Sequence, residues 1–180
     1  MVEFVQRPLL FLDVDGTLLP YGGAATPATA GQWGQWQHTS NPQLAKLVPG
    51  HGPRLLALPC ELVWATAWMH DANEVIAPLL GLPELPVADL PDAEPDAESD
   101  AEEEGAAGGP HWKTRALVEI ALGRPFVWVD DEISDLDRVF VAARHQGQVL
   151  LHRVDSAVGL TDADFAAIDD WLRGVVFGGL

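Results

Sequence analysis

The sequence predicts an α/β fold, a three-layer α/β/α sandwich around a mostly parallel five-stranded sheet. Short apolar runs alternate along the chain with amphipathic helical segments, and this order favours a parallel sheet with right-handed crossovers. The runs are apolar almost throughout, so helices are expected on both faces of the sheet. Because the chain has 180 residues and a hydrophobic fraction of 48%, we expect a single domain, 1–180, with a sizeable core.

The five predicted strands are apolar runs bounded by turn residues. They span residues 8–14, 61–66, 85–88, 125–130 and 148–152. The third run contains Pro86, which lacks an N–H, so it is expected only at an edge of the sheet.

The helices are predicted from apolar periodicity and from their end signals. They span residues 42–49, 54–58, 71–80, 112–122, 135–145 and 162–173. Asn41 has the position of an N-cap, and either Ser134 or Asp135 caps the fifth helix. Thr161 and Asp164 have the spacing of a capping box at the start of the last helix. A break is expected at 50–53, where glycine and proline cluster.

Two segments are not expected to belong to the layers. Residues 16–60 form a loop and short-helix insertion, and residues 89–110 form an acidic, flexible surface loop. Nine acidic residues and no basic one lie between 89 and 104, and they account for about half of the formal net charge of −17. This charge disfavours nucleic acid and anionic membranes as partners.

The sequence also indicates the compartment. No run is long enough to span a membrane, and residues 1–8 do not resemble a secretory signal. Cys60 is the only cysteine, so no disulfide can form within the chain. A cytoplasmic protein is therefore expected, while the oligomeric state stays open.

Two aspartates mark the end of the first apolar run. Asp13 and Asp15 are two residues apart, so their side chains can converge just past the carboxyl end of a strand. Ligands bind at this edge in open α/β sheets. Two neighbouring carboxylates repel each other unless a cation lies between them, and oxygen ligands suit a hard cation such as Mg²⁺.

A second acidic cluster follows the fourth apolar run. Asp130 and Asp131 end that run, and Asp135 lies a few residues further on. An apolar interior would not tolerate such a cluster without a compensating cation.

The stretch from Asp13 to Thr17, with the sequence Asp-Val-Asp-Gly-Thr, resembles the first motif of the haloacid dehalogenase (HAD) superfamily. Three further motifs occur in the expected order. An apolar run ends in Thr66, Lys113 lies near the start of a helix, and Asp130 and Asp131 end the last run. Arg115 is a rival to Lys113.

This resemblance implies a Rossmann-like fold with a minimal cap and a phosphohydrolase activity. It makes Asp13 the nucleophile that forms an aspartyl-phosphate, and Asp15 the general acid and base. The residues expected to contact the phosphate are Gly16, Thr66 and Lys113. The residues expected to hold Mg²⁺ are Asp13, Asp15 through its backbone carbonyl, Asp130 and Asp131. In the second acidic cluster the resemblance makes Asp130 the preferred ligand and Asp131 the second, while Asp135 is equally well explained as a helix cap.

Other functions are compatible with the same residues. A phosphotransferase would pass the phosphoryl group to an alcohol, and a catalytically inactive relative would only bind a partner. The size of the phosphorylated substrate is not determined by the sequence. Trp33 and Trp36 could stack on a substrate ring or form a wall of the site, although local packing explains them equally well. Trp68 is expected in the core.

Overall fold

Among the described residues, the sheet has four parallel strands in the order β2-β1-β3-β4. In the computed structural model, residues 6–22, 34–91 and 109–178 are described. The strands are β1 (Leu9–Leu12), β2 (Glu61–Trp64), β3 (Phe126–Asp130) and β4 (Val149–Arg153). Each strand overlaps a predicted run, because these runs are apolar at nearly every position.

The prediction of a fifth strand at 85–88 is wrong. This segment forms only an isolated parallel bridge between Trp64 and Val87, with hydrogen bonds from Trp64 N to Pro86 O and from Ala88 N to Trp64 O, each 2.8 Å long. Pro83 and Pro86 have no N–H to extend a ladder, which explains why pairing stops after one bridge.

Helices cover both faces of the sheet, as predicted. They are α1 (His51–Ala57), α2 (Ala77–Leu80), α3 (Thr114–Ala121), α4 (Asp135–Arg144) and α5 (Asp162–Phe177). Leu10 and Leu12 of β1 are buried in the core that includes residues of α1, α2 and α5. Leu9 and Phe11 point to the opposite face, where the core includes residues of α3 and α4. The alternation along one buried strand therefore serves two cores.

Several helix boundaries differ from the predicted ones. α1 begins at His51, inside the predicted break, because a proline in a first turn loses no intrahelical hydrogen bond. A π-helical segment, Ala72–Ile76, precedes α2. Gly81, with a left-handed φ of 68°, ends α2. α5 continues to Phe177, four residues beyond the predicted end.

The predicted caps are confirmed. Asn41 accepts a hydrogen bond from Gln43 N at the start of the 3-10 turn Pro42–Lys46. Ser134, rather than Asp135, caps α4 and forms a capping box with Asp137. Thr161 forms the same motif at α5. The prediction of a minimal cap stays a prediction, since residues 23–33 and most of the acidic loop, 92–108, lie outside the described ranges.

The strand order fixes where a site can form. The chain passes from β1 to β2 on one side and then crosses to β3 on the other side of β1. Side chains that follow β1 and β3 therefore meet at a reversal of strand order, the usual ligand position in such sheets. Among the described residues, no helix is both long and apolar enough to cross a bilayer.

A buried carboxylate ties α4 to the segment before α3. Asp137 accepts hydrogen bonds from Ser134 N (2.8 Å), Ser134 Oγ (2.6 Å), Thr114 Oγ1 and His111 N (2.6 Å). Burial alone would raise the pKa of Asp137, but these hydrogen bonds outweigh it and lower the pKa below its usual value. The ionised carboxylate therefore stabilises the fold.

We expect Asp137→Asn to lower the free energy of unfolding by about 2–3 kcal/mol at pH 7, because an amide nitrogen cannot accept these hydrogen bonds. The stabilisation by a carboxylate of lowered pKa is fully present above the unfolded pKa of about 4 and disappears as the pH falls through the folded pKa. Urea denaturation at pH 7 and pH 3 should therefore show a difference from wild type that shrinks in acid. Asp135→Asn, in the same helix turn but exposed, is the control; equal effects of the two variants would contradict the prediction.

Candidate active site

The first aspartate follows β1 directly and is nearly buried. Asp13 N donates to Val129 O (3.1 Å), which extends the pairing of β1 with β3 by one residue. The Val14 carbonyl then accepts hydrogen bonds from the backbone N–H groups of Thr17, Leu18 and Leu19. This tight turn keeps Asp13 and Asp15 at the sheet edge, with 4% and 8% of their surface exposed.

A buried lysine joins the ends of β1 and β3. Lys113 Nζ lies 2.7 Å from Asp13 Oδ1 and 2.7 Å from Asp130 Oδ2, and all three residues are almost entirely buried. Burial by itself would lower the pKa of Lys113, but the two carboxylates outweigh it and raise the pKa. The ammonium group is therefore charged at neutral pH.

Carboxylates outnumber cations at this edge. Asp13, Asp130 and Asp131 each offer a carboxylate oxygen, and these oxygens lie within 4.8 Å of one another. Burial, with repulsion from Asp130 and Glu132, raises the pKa of Asp131 to about 7. Three clustered carboxylates with one ammonium group leave negative charge uncompensated, and the donors are all oxygen. The cluster therefore fits a hard divalent cation.

The second aspartate has different partners. Asp15 Oδ1 accepts a hydrogen bond from Trp36 Nε1 (2.6 Å), and Oδ2 accepts one from Trp68 Nε1 (2.9 Å). Burial raises the pKa of Asp15 to about 6, although the two indole groups oppose the shift. Asp15 thus accepts hydrogen bonds from neutral donors, whereas Asp13 contacts the charged ammonium group of Lys113.

The turn after the second aspartate requires glycine. Gly16 has φ of 73°, and a Cβ there would overlap the Asp131 carboxylate. Its N–H donates to Leu19 O (2.9 Å). The geometry thus accounts for Gly16 as a turn residue, and its predicted contact with phosphate stays a prediction.

The remaining predicted residues lie in varied surroundings. Thr66 is fully buried just after β2, and its hydroxyl accepts a hydrogen bond from Trp68 N (3.3 Å). Arg115, the rival of Lys113, has its guanidinium 5.6 Å from the centre of the Phe140 ring. Asp135 points into solvent on α4. The structure thus brings Lys113 and Asp131 to Asp13, and leaves Asp135 outside the cluster.

Three tryptophans contact the carboxylates of the site, and of these only Trp36 was a candidate site residue from the sequence. Trp36 and Trp68 contact Asp15, and Trp128 Nε1 lies 3.2 Å from Asp130 Oδ2. A signal was present in the composition, since the chain has seven tryptophans but only ten lysines and arginines. A buried indole N–H needs an acceptor, and buried carboxylates need donors. Trp33 lies outside the described residues.

The fold and this acidic edge define an HAD-type α/β domain. A family model described as "HAD domain in Swiss Army Knife RNA repair proteins" matches residues 9–165, and the chain belongs to this family. No curated protein and no solved structure matches the chain significantly. Membership points to a phosphohydrolase-like protein, and HAD domains typically use a metal ion.

We expect Gly16→Ala to destabilise the protein more than Gly81→Ala. Both glycines have a left-handed φ, so both alanines cost about 1 kcal/mol of backbone strain. Only the alanine at 16 also meets a side chain, since nothing lies within 4 Å of a Cβ at Gly81. Urea denaturation of both variants measures the difference.

Removal of the Asp131 carboxylate separates the backbone strain of Gly16→Ala from the steric overlap of the new Cβ with Asp131. In an Asp131→Ala background, the cost of Gly16→Ala should fall to that of Gly81→Ala, because the crowding group is gone. An unchanged cost in that background would show that Asp131 does not restrict this turn.

Proposed function

We propose that the protein is a Mg²⁺-dependent phosphohydrolase that cleaves a phosphomonoester through an aspartyl-phosphate on Asp13. The observation that carries the proposal is that Asp13 and Asp130 both form ion pairs with Lys113. A second aspartate, Asp15, lies beside them and accepts an indole hydrogen bond instead. A module that only binds a partner has no need for a second buried aspartate whose pKa is raised to about 6.

The acidic cluster supports a role for Mg²⁺. The residues that would hold the ion are Asp13, Asp130, Asp131 and the backbone carbonyl of Asp15. When bound, Mg²⁺ would supply positive charge that reduces the repulsion between a carboxylate and a phosphate.

In the first step, a carboxylate oxygen of Asp13 attacks phosphorus and the bond from phosphorus to the ester oxygen breaks. Asp15 donates its proton to that oxygen, so the alcohol leaves neutral. Lys113, within hydrogen-bond distance of Asp13, provides positive charge beside the transferring group. The Thr66 hydroxyl donates a hydrogen bond to a phosphate oxygen.

In the second step, water attacks the phosphorus of the aspartyl-phosphate. Asp15, now ionised, accepts a proton from this water, and Asp13 is released as a carboxylate. Inorganic phosphate leaves, and both aspartates have returned to their starting states. A phosphotransferase would follow the same route with an alcohol in place of water.

Hydrolysis of an aryl phosphate tests this proposal directly. Wild type should turn over p-nitrophenyl phosphate with Mg²⁺ and lose this activity in excess chelator, with recovery when Mg²⁺ is restored. Asp13→Asn should lower kcat at least about 1,000-fold, because the nucleophile is lost. Asp135→Asn, an exposed acid outside the cluster, should retain activity. Full activity of Asp13→Asn would contradict the mechanism, and added alcohols distinguish transfer from hydrolysis by their phosphorylated products.

The family description favours a particular macromolecular substrate, the terminal phosphate of an RNA strand. The net charge of −17 weighs against tight binding of RNA, and nine of the acids lie in the segment 89–104. An RNA substrate is compatible with this charge if the site binds only the end of a strand, or if the acidic segment keeps the binding of RNA weak.

Phosphate release from oligoribonucleotides separates these substrates. If the RNA proposal holds, kcat/KM for a 3′- or 5′-phosphorylated oligoribonucleotide should exceed that for the mononucleotide at least about tenfold, which is about 1.4 kcal/mol of additional binding in the transition state. The advantage should shrink with salt if contacts to further phosphates provide it. Equal values for oligonucleotide and mononucleotide would indicate a small-molecule substrate.

A further inference from the structure

Two indole groups hold the carboxylate of Asp15 from opposite ends. Trp36 Nε1 donates to one oxygen at 2.6 Å and Trp68 Nε1 donates to the other at 2.9 Å. Asp15, Trp36 and Trp68 are each at most 9% exposed. Because each donor comes from a different segment of the chain, the carboxylate is fixed from two independent directions.

The chemistry of the donors matters for a group that must exchange a proton. An indole N–H can only donate, so it neither takes up the proton of Asp15 nor carries a charge that would neutralise the carboxylate. A carboxylate oxygen has two lone pairs, so each oxygen that contacts an indole retains one for another partner. The two indoles therefore restrict the rotation of the carboxylate without occupying all of its acceptor positions.

Each indole is itself supported by neighbouring groups. The backbone carbonyl of Trp36 accepts a hydrogen bond from Asn41 Nδ2 (2.8 Å), and the ring lies 6.2 Å from that of Tyr21. Trp68 N donates to Thr66 Oγ1, which links it to the residue after β2. The orientation of Asp15 thus depends on the insertion between β1 and β2 as well as on the sheet.

We propose that Trp36 and Trp68 are positioning residues for Asp15, and that they determine how fast the protein cleaves phosphate esters of weakly acidic alcohols. This inference rests on the proposed function. Alkoxides are poor leaving groups and need a proton in the transition state, so cleavage of alkyl esters depends on a well-placed acid. A nitrophenolate leaves readily without one. Loss of an indole should therefore slow alkyl esters far more than nitrophenyl esters.

The test compares Trp36→Phe and Trp68→Phe across phosphate esters of rising alcohol pKa, from p-nitrophenyl through phenyl to an alkyl phosphate. We expect kcat/KM, which covers only the steps up to release of the alcohol, to fall less than about threefold for the nitrophenyl ester and about 10- to 100-fold for the alkyl ester. Asp15→Asn should show the same dependence more steeply.

Trp64→Phe is the matched control. Trp64 is also fully buried and also donates its indole N–H, but to Asn73 Oδ1 (2.8 Å) rather than to Asp15. Its effect on kcat/KM should be the same for every ester, because a loss of core packing does not depend on the leaving group. Equal dependence in Trp64→Phe and Trp68→Phe, or a uniform loss in both Asp15-contacting variants, would overturn the inference.

A second measurement does not depend on catalysis or on the folding of the Trp68 variant. The indole N–H resonances of ¹⁵N-labelled protein should include two that shift in Asp15→Ala, and one of them should be absent from Trp36→Phe. If no indole resonance shifts, the hydrogen bonds are absent in solution and the inference fails. Inactivity of wild type toward every ester, with the two shifts present, would instead reject the proposed function.

Discussion

The arrangement of the site depends on one buried ammonium group. Lys113 lies 2.7 Å from carboxylates that follow β1 and end β3, so it joins two adjacent strands to the segment before α3. Removal of one member of a buried ion pair typically costs about 3–5 kcal/mol, because a charge is left uncompensated. The hydrogen bonds to Asp137 keep this segment in place, since they fix His111 and Thr114 on either side of Lys113.

The balance of charge around Lys113 relates the composition to the chemistry. The chain is short of basic residues, and its active-site edge contains more carboxylates than ammonium groups. Asp13 and Asp130 share the lysine, Asp131 lies against Gly16, and Asp15 is supplied with indole donors instead. In the proposed mechanism, this distribution assigns the proton exchange to Asp15 and lets the other three aspartates face a cation.

The segment between β1 and β2 contributes Trp36, which lies beside the carboxylate of Asp15, so this insertion is part of the site rather than a remote loop. The acidic segment follows the edge bridge of Val87 and precedes the helix that presents Lys113. Its negative charge is the feature of this chain that most opposes an anionic macromolecule.

The sequence by itself determined the apolar runs, the helix caps and the five charged positions at this sheet edge, because their information is local. Strand periodicity and the spacing of Asp13 and Asp15 require no knowledge of distant residues. The edge segment at 85–88 was overpredicted, since whether a short proline-containing run pairs depends on what its neighbour offers. Only the tertiary structure decided which donors satisfy Asp15, because an indole N–H from residue 36 and another from residue 68 meet there through folding. No local pattern specifies that contact, and the same physics that buries a carboxylate requires that some donor be brought to it.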